Sequence, residues 1–177
     1  IVIFAKNAPA LRLMNEAIRA GYIEKRYLCA VHGRFPETRI LTGYLRKDYK
    51  TKTVAVSDMP KPGAREIRTG CTPLAYNRER DLTLLEVRLF TGRTHQIRAH
   101  LAHVGYPLVG EGKYGENKAD RKAGYAHQAL YSYRLTFAFP PEWDAGALSG
   151  LRGKTWTVRQ ENVRFLSLFP DVRLPKV

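Results

Sequence analysis

The densest chemistry in the sequence lies in Leu89–Gly115, LFTGRTHQIRAHLAHVGYPLVGEGKYG. Arg93, His95, Gln96 and Arg98 crowd what reads as the first turn of a helix. Unpaired backbone N–H groups and the positive end of the helix dipole already favour anions there. Two arginines in that field repel it unless something negative sits among them. A phosphate, or a carboxylate brought from elsewhere in the fold, would supply it.

Other motifs carry less. Gly110–Gly115 matches G-x-G-x-x-G after a short apolar run, but residues 116–122 lack the apolar stripe with which a dinucleotide-binding helix packs on its sheet. Gly105–Gly110 has the glycine spacing of a phosphate loop, yet Glu111 stands where that motif needs lysine. His95, His100 and His103 lie close together without an acid or cysteine in register, so no metal centre is expected. The serines have no G-x-S-x-G elbow around them. Tyr27 opens a strand after Glu24, Lys25 and Arg26. Core packing with the hydroxyl at a polar rim is the commoner use of such a tyrosine, and a stacking surface for a nucleobase is the alternative.

The elements that must position these residues follow from periodicity. Ile1–Ala5 reads as a buried strand. A helix capped by Asn7 follows, with Leu11, Met14 and Ile18 along one face and Gly21 as its stop. In Tyr27–Val31, Tyr27, Cys29 and Val31 alternate against Leu28 and Ala30, the pattern of a strand. Ile40–Leu45 and Thr53–Ser57 read as a hairpin with a basic tip, and Ile67–Ala75, Leu82–Phe90 and Tyr131–Phe139 as further strands. A helix is expected over Thr94–Val104 with Ile97, Leu101 and Val104 buried, then a short strand at Pro107–Val109 and a polar loop over Gly110–Gly124. Lys154–Val158 reads as a last strand and Gln160–Phe169 as a closing helix or a tail with an apolar side. Strands outnumber helices and come in neighbouring runs, so the expected class is α+β with one mixed, mainly antiparallel sheet, in a single domain over 1–177.

Composition narrows the partner. Thirty Lys and Arg against 16 Asp and Glu leave a net charge of +14, spread from Lys6 to Lys176 rather than gathered in a tail. A folded basic surface fits nucleic acid better than a membrane anchor. The longest apolar runs are too short to span a bilayer and no leader pattern opens the chain, so a cytoplasmic, unexported protein is expected. Cys29 and Cys71 show no metal or redox spacing and read as buried thiols, with a disulfide between them left open.

Thr91-Gly-Arg-Thr-His-Gln-Ile-Arg98, then His100-Leu and Gly105-Tyr-Pro-Leu-Val-Gly110, resemble the signature of the RluA-type RNA pseudouridine synthases. Glu24–Gly33 resembles the family's tyrosine-bearing strand, Ile1–Asn7 the strand that follows its catalytic loop, and Ala129–Phe137 its late strand. The resemblance implies a pseudouridine synthase fold and isomerisation of uridine in RNA without a cofactor; the RNA is expected to be ribosomal or transfer RNA and the protein a monomer. It implies that Tyr27 is the active-site tyrosine that stacks on the target base and that Arg98 pairs with the catalytic aspartate. Arg93, Thr94, His95 and Gln96 should line the cleft. The family's nucleophile, in an Arg-Leu-Asp motif, falls just before Ile1, so the chain is expected to be an N-terminally incomplete catalytic domain, inactive as written. Glu111 stands where the family usually has aspartate, and Tyr131-Ser132 where it commonly has His-Ala. The competing reading is a non-catalytic RNA-binding module that keeps the cleft and lacks the nucleophile.

Overall fold

The computed structural model describes residues 1–175. Seven strands form one sheet in the order β3-β2-β4-β5-β1-β6-β7: β1 (Ile23–His32), β2 (Arg39–Asp48), β3 (Thr53–Ser57), β4 (Arg65–Asn77), β5 (Leu82–Leu89), β6 (Leu130–Phe137) and β7 (Thr155–Thr157). A mixed, mainly antiparallel sheet was expected, and every strand pairing among the described residues is antiparallel. Helices α1 (Ala8–Arg19), α2 (Gln96–His103) and the single turn α3 (Lys118–Lys122) complete the α+β architecture.

The alternation read in β1 sorts the core. Cys29 and Val31 pack with Leu85, Val87, Ile97 and Leu101 under α2, whereas Leu28 and Ala30 pack with Leu84, Tyr133, Phe165 and Phe169 on the opposite face. Ile23 faces the first side too, with Met14 and Ala17 of α1. Both longer helices therefore lie on the sheet face that carries Tyr27, and the C-terminal segment covers the other. Cys29 and Cys71 are buried free thiols in the α2-side cluster; burial raises Cys29 well above its usual value and pushes Cys71 up to about 12.

Several local expectations fail for physical reasons. Ile1–Ala5 pairs with no strand among the described residues: Ile1 and Ile3 pack on the α1-side cluster while Val2 and Phe4 stand out in solvent. In α1, Asn7 does cap the helix, its side chain accepting from the Ala10 N–H at 2.9 Å, but the buried face is Met14 and Ala17. Leu11 and Ile18 are exposed, because the three-four spacing chose a stripe adjacent to the one that meets the sheet. Pro107–Val109 supplies only a single bridge, Leu108 to Val31, and of the two forms expected for Gln160–Phe169 the structure takes the tail, two short 3-10 turns with Val163, Phe165, Leu168 and Phe169 buried. No described helix is long and apolar enough to cross a membrane.

Candidate functional site

The site is built where β5 runs into α2. Helix α2 starts at Gln96, two residues later than expected, because His95 takes a left-handed conformation (φ 53°) that no helix turn accommodates. That turn leaves Arg93 and Thr94 exposed ahead of the helix and His95 half-exposed at its mouth. Ile97 and Leu101 are buried as expected.

Gln96 departs from its assignment. It is 2% exposed, and its amide is consumed internally: Oε1 accepts from Thr91 Oγ1 at 2.9 Å and the Arg93 N–H at 3.1 Å, while Nε2 donates to Arg68 O at 3.2 Å and Thr69 Oγ1 at 3.1 Å. Gln96 is a strut between α2 and β4, and it does not line the cleft. The same Thr69 hydroxyl reaches His100 Nδ1 at 3.0 Å. His100 is fully buried, its Nε2 facing the Thr42 backbone without closing a hydrogen bond. Burial lowers its pKa and keeps the ring neutral. The three histidines thus diverge: His95 goes to Tyr114 Oη at 2.8 Å, His100 to Thr69, and His103 to Asp58 Oδ1 at 2.8 Å.

Arg98 has found a carboxylate within the chain. Its Nε and Nη2 each donate to Glu111 at 2.6 Å, a parallel pair in which Glu111 is 1% exposed. Glu111 Oε1 also accepts the N–H groups of Lys113 at 2.8 Å and Tyr114 at 3.2 Å. Burial alone would push the Glu111 carboxyl up. The hydrogen bonds and charge of Arg98, with the two N–H groups, prevail and hold it below its ordinary value. Arg98 Nη1 makes no hydrogen bond among the described residues.

Sequence reasoning missed how much of the loop after Val109 is anchored. Asp120, on α3, is buried and accepts the Gly110 N–H at 2.7 Å and meets His32 Nε2 at 3.0 Å. Gly110 itself takes φ 74° under the His127 carbonyl, which a Cβ would strike. The signal was present as the acids Glu111 and Asp120, but their partners lie too far along the chain for spacing to reveal them.

Tyr27 packs on the cluster that holds Ile97 and Leu101, so it shares a sheet face with α2. In β1 it stands opposite Ser132 of β6, where the register shifts and Tyr133 is accommodated as an extra residue on the opposite face. Burial raises the Tyr27 phenol, with the Ser132 side chain opposing. The amino group of Ile1 donates to the carbonyl of Ser132, the residue that pairs with Tyr27 across β1 and β6, at 2.8 Å. Lys25, two residues along the same strand, is half-buried, and burial lowers its pKa.

This antiparallel sheet, with both longer helices on one face, is the fold of RNA pseudouridylate synthase domains. The solved structure of human RNA pseudouridylate synthase domain containing 4 matches it with a TM-score of 0.69 at 16% identity, covering 96% of this chain and 70% of that one. The model of the RNA pseudouridylate synthase family matches residues 1–103, and the chain belongs to that family, as the RluA-type signature implied. An uncharacterized RNA pseudouridine synthase of Mycoplasma genitalium is 38% identical over 138 residues, 77% of this chain and 43% of that protein. The ribosomal large subunit pseudouridine synthase C of Buchnera aphidicola is 34% identical over 121 residues, 68% of this chain and 38% of that protein. The chain thus spans about two fifths of the length of these curated relatives.

Proposed function

We propose that residues 1–177 are the N-terminally incomplete catalytic domain of an RNA pseudouridine synthase. The full-length protein isomerises uridine in structured RNA, ribosomal or transfer, as a cytoplasmic monomer without a cofactor. The reaction breaks the N1–C1′ glycosidic bond, turns the uracil and rejoins it through C5. A carboxylate can act at the sugar, covalently or electrostatically. In this reading the nucleophilic aspartate lies on a segment joined to Ile1. Tyr27 supplies the aromatic platform for a base taken out of its stack, and Arg98 the counter-charge that keeps the aspartate ionised. Arg93, Thr94 and His95 grip the flanking RNA.

The observation that supports this most is the Ile1–Ser132–Tyr27 juxtaposition: a segment attached at Ile1 would enter beside the tyrosine rather than at a remote edge. The free Nη1 of Arg98 is compatible with a second carboxylate, since Glu111 occupies only Nε and Nη2.

The test is to express the full-length protein, confirm an Arg-Leu-Asp motif upstream of Ile1, and measure pseudouridine formed in bulk RNA. Arg98→Ala should cost orders of magnitude in rate, because the aspartate loses its counter-charge. Undiminished activity in that variant would remove the pairing role. RNA binding without any pseudouridine formation would leave the non-catalytic module as the function.

A further inference from the structure

One phenolic oxygen joins three parts of the site. Tyr114 Oη lies 2.8 Å from His95 Nδ1 and accepts the backbone N–H of Val54, on β3, at 3.2 Å. A phenol carries a single hydrogen. With Val54 already donating to the oxygen, that hydrogen is free to go to His95 Nδ1, which leaves the proton of the neutral imidazole on Nε2. Nε2 has no partner among the described residues and is not enclosed.

The tyrosine is itself firmly held. Its N–H ends on Glu111 Oε1, and the Arg98 guanidinium stands 5.4 Å above its ring. The neighbouring Lys113 ammonium donates to the Lys52 carbonyl at the turn of the β2–β3 hairpin. That turn presents Arg46, Lys47, Tyr49, Lys50 and Lys52 to solvent. His95, for its part, keeps a left-handed backbone that a non-glycine residue holds only when its surroundings fix it.

We infer that Tyr114 is a positioning residue: it holds His95 as a neutral Nε2–H donor for a phosphate oxygen of the bound RNA and ties that donor to the basic hairpin. The inference rests on the RNA-modifying function proposed above. The anionic acceptor follows from the surroundings of His95. Arg98 faces it from α2, Lys113 from the loop and Lys47 from β2, with Glu111 as the opposing carboxylate. Burial first, then these cations, lower the His95 pKa from its ordinary 6.5, so near neutral pH the ring recognises by donation rather than by charge.

Tyr114→Phe keeps the ring under Arg98 and removes only the hydroxyl. Long-range proton–nitrogen NMR of the imidazoles should show His95 as the Nε2–H tautomer in the wild-type chain. In the variant that preference should be lost, and His95 should titrate at a higher pH, because the neutral ring no longer accepts a hydrogen bond. Affinity for a fluorescein-labelled RNA hairpin with a uridine-rich loop, read at pH 8, should fall about tenfold. His95→Gln supplies an amide donor that has no tautomer to set, so adding Tyr114→Phe to it should change affinity no further. The same tautomer and titration in Tyr114→Phe, or an equal loss of affinity in the His95→Gln background, would overturn the inference while leaving the RNA reading intact. A wild-type chain that does not bind the hairpin would remove both.

Discussion

Arg98 and Glu111 meet through two parallel hydrogen bonds of 2.6 Å, with the carboxylate sealed from solvent and the arginine side chain 15% exposed. The pair fixes the arginine's plane before any substrate arrives, and two backbone N–H groups fix the carboxylate in turn. Such a bidentate contact sets direction as well as charge.

Removing the acid should therefore cost fold and site together. Glu111→Gln is expected to lower unfolding free energy by about 3 kcal/mol, because a buried pair loses one member. Urea unfolding with an unchanged m-value would measure it. The carboxyl has a folded pKa below its ordinary 4.5, so its stabilisation is complete above that value and drains away as pH falls through the lower folded one. The variant should lack that acid-limb component.

Gln96 and Arg93, neighbours in the motif, should separate cleanly. Gln96→Ala strands groups on β4 and in the preceding turn and should destabilise by about 2 kcal/mol. Arg93→Ala removes an exposed side chain and should change stability by no more than about 0.5 kcal/mol. Thermal melts of the two variants decide this, and equal melting temperatures would contradict the strut assigned to Gln96.

On RNA the order should reverse. Arg93→Ala should reduce the slope of log affinity against log salt by about one, the signature of one lost phosphate contact. Binding titrations of the labelled hairpin at several salt concentrations would measure that slope.

Gly43 and His100 make a fourth test. A Cβ on Gly43 would stand 3.3 Å from the Ser57 carbonyl and 3.4 Å from His100 Nε2, with backbone on one side and a buried ring on the other. Gly43→Ala should cost about 1–2 kcal/mol by overpacking. Burial depresses His100 below 6.5, so its contribution is present above that pH and is lost as pH falls towards the folded value. His100→Leu should flatten the stability profile in that window, measured as the difference from wild type.

Much of the scaffold was legible because its strands obey strict alternation. β3 falls on Thr53–Ser57 as read, and Tyr27, Cys29 and Val31 face one way as their spacing required. What escaped was set by contacts between distant residues. Glu111 and Asp120 look like ordinary solvated acids until Arg98, His32 and the Gly110 N–H arrive from elsewhere. His95 breaks the helix two residues late through a backbone angle that no periodicity encodes. Gln96 looks like a ligand in the motif and is a strut in the fold, because a polar side chain between two basic ones gives no sign of which way it points.

The sheet order also bears on how the site comes into being. β1, which holds Tyr27, hydrogen-bonds to β5 through Val87 and to β6 through Ser132, both far later in the chain. Closing those long loops precedes any gain from the pairing, which makes such strands slow to settle. During synthesis the tyrosine strand keeps one edge unpaired until β6 has left the ribosome. Chain ends placed before Leu130 would leave it paired on one side only, so the sheet around Tyr27 is completed among the last acts of folding rather than the first.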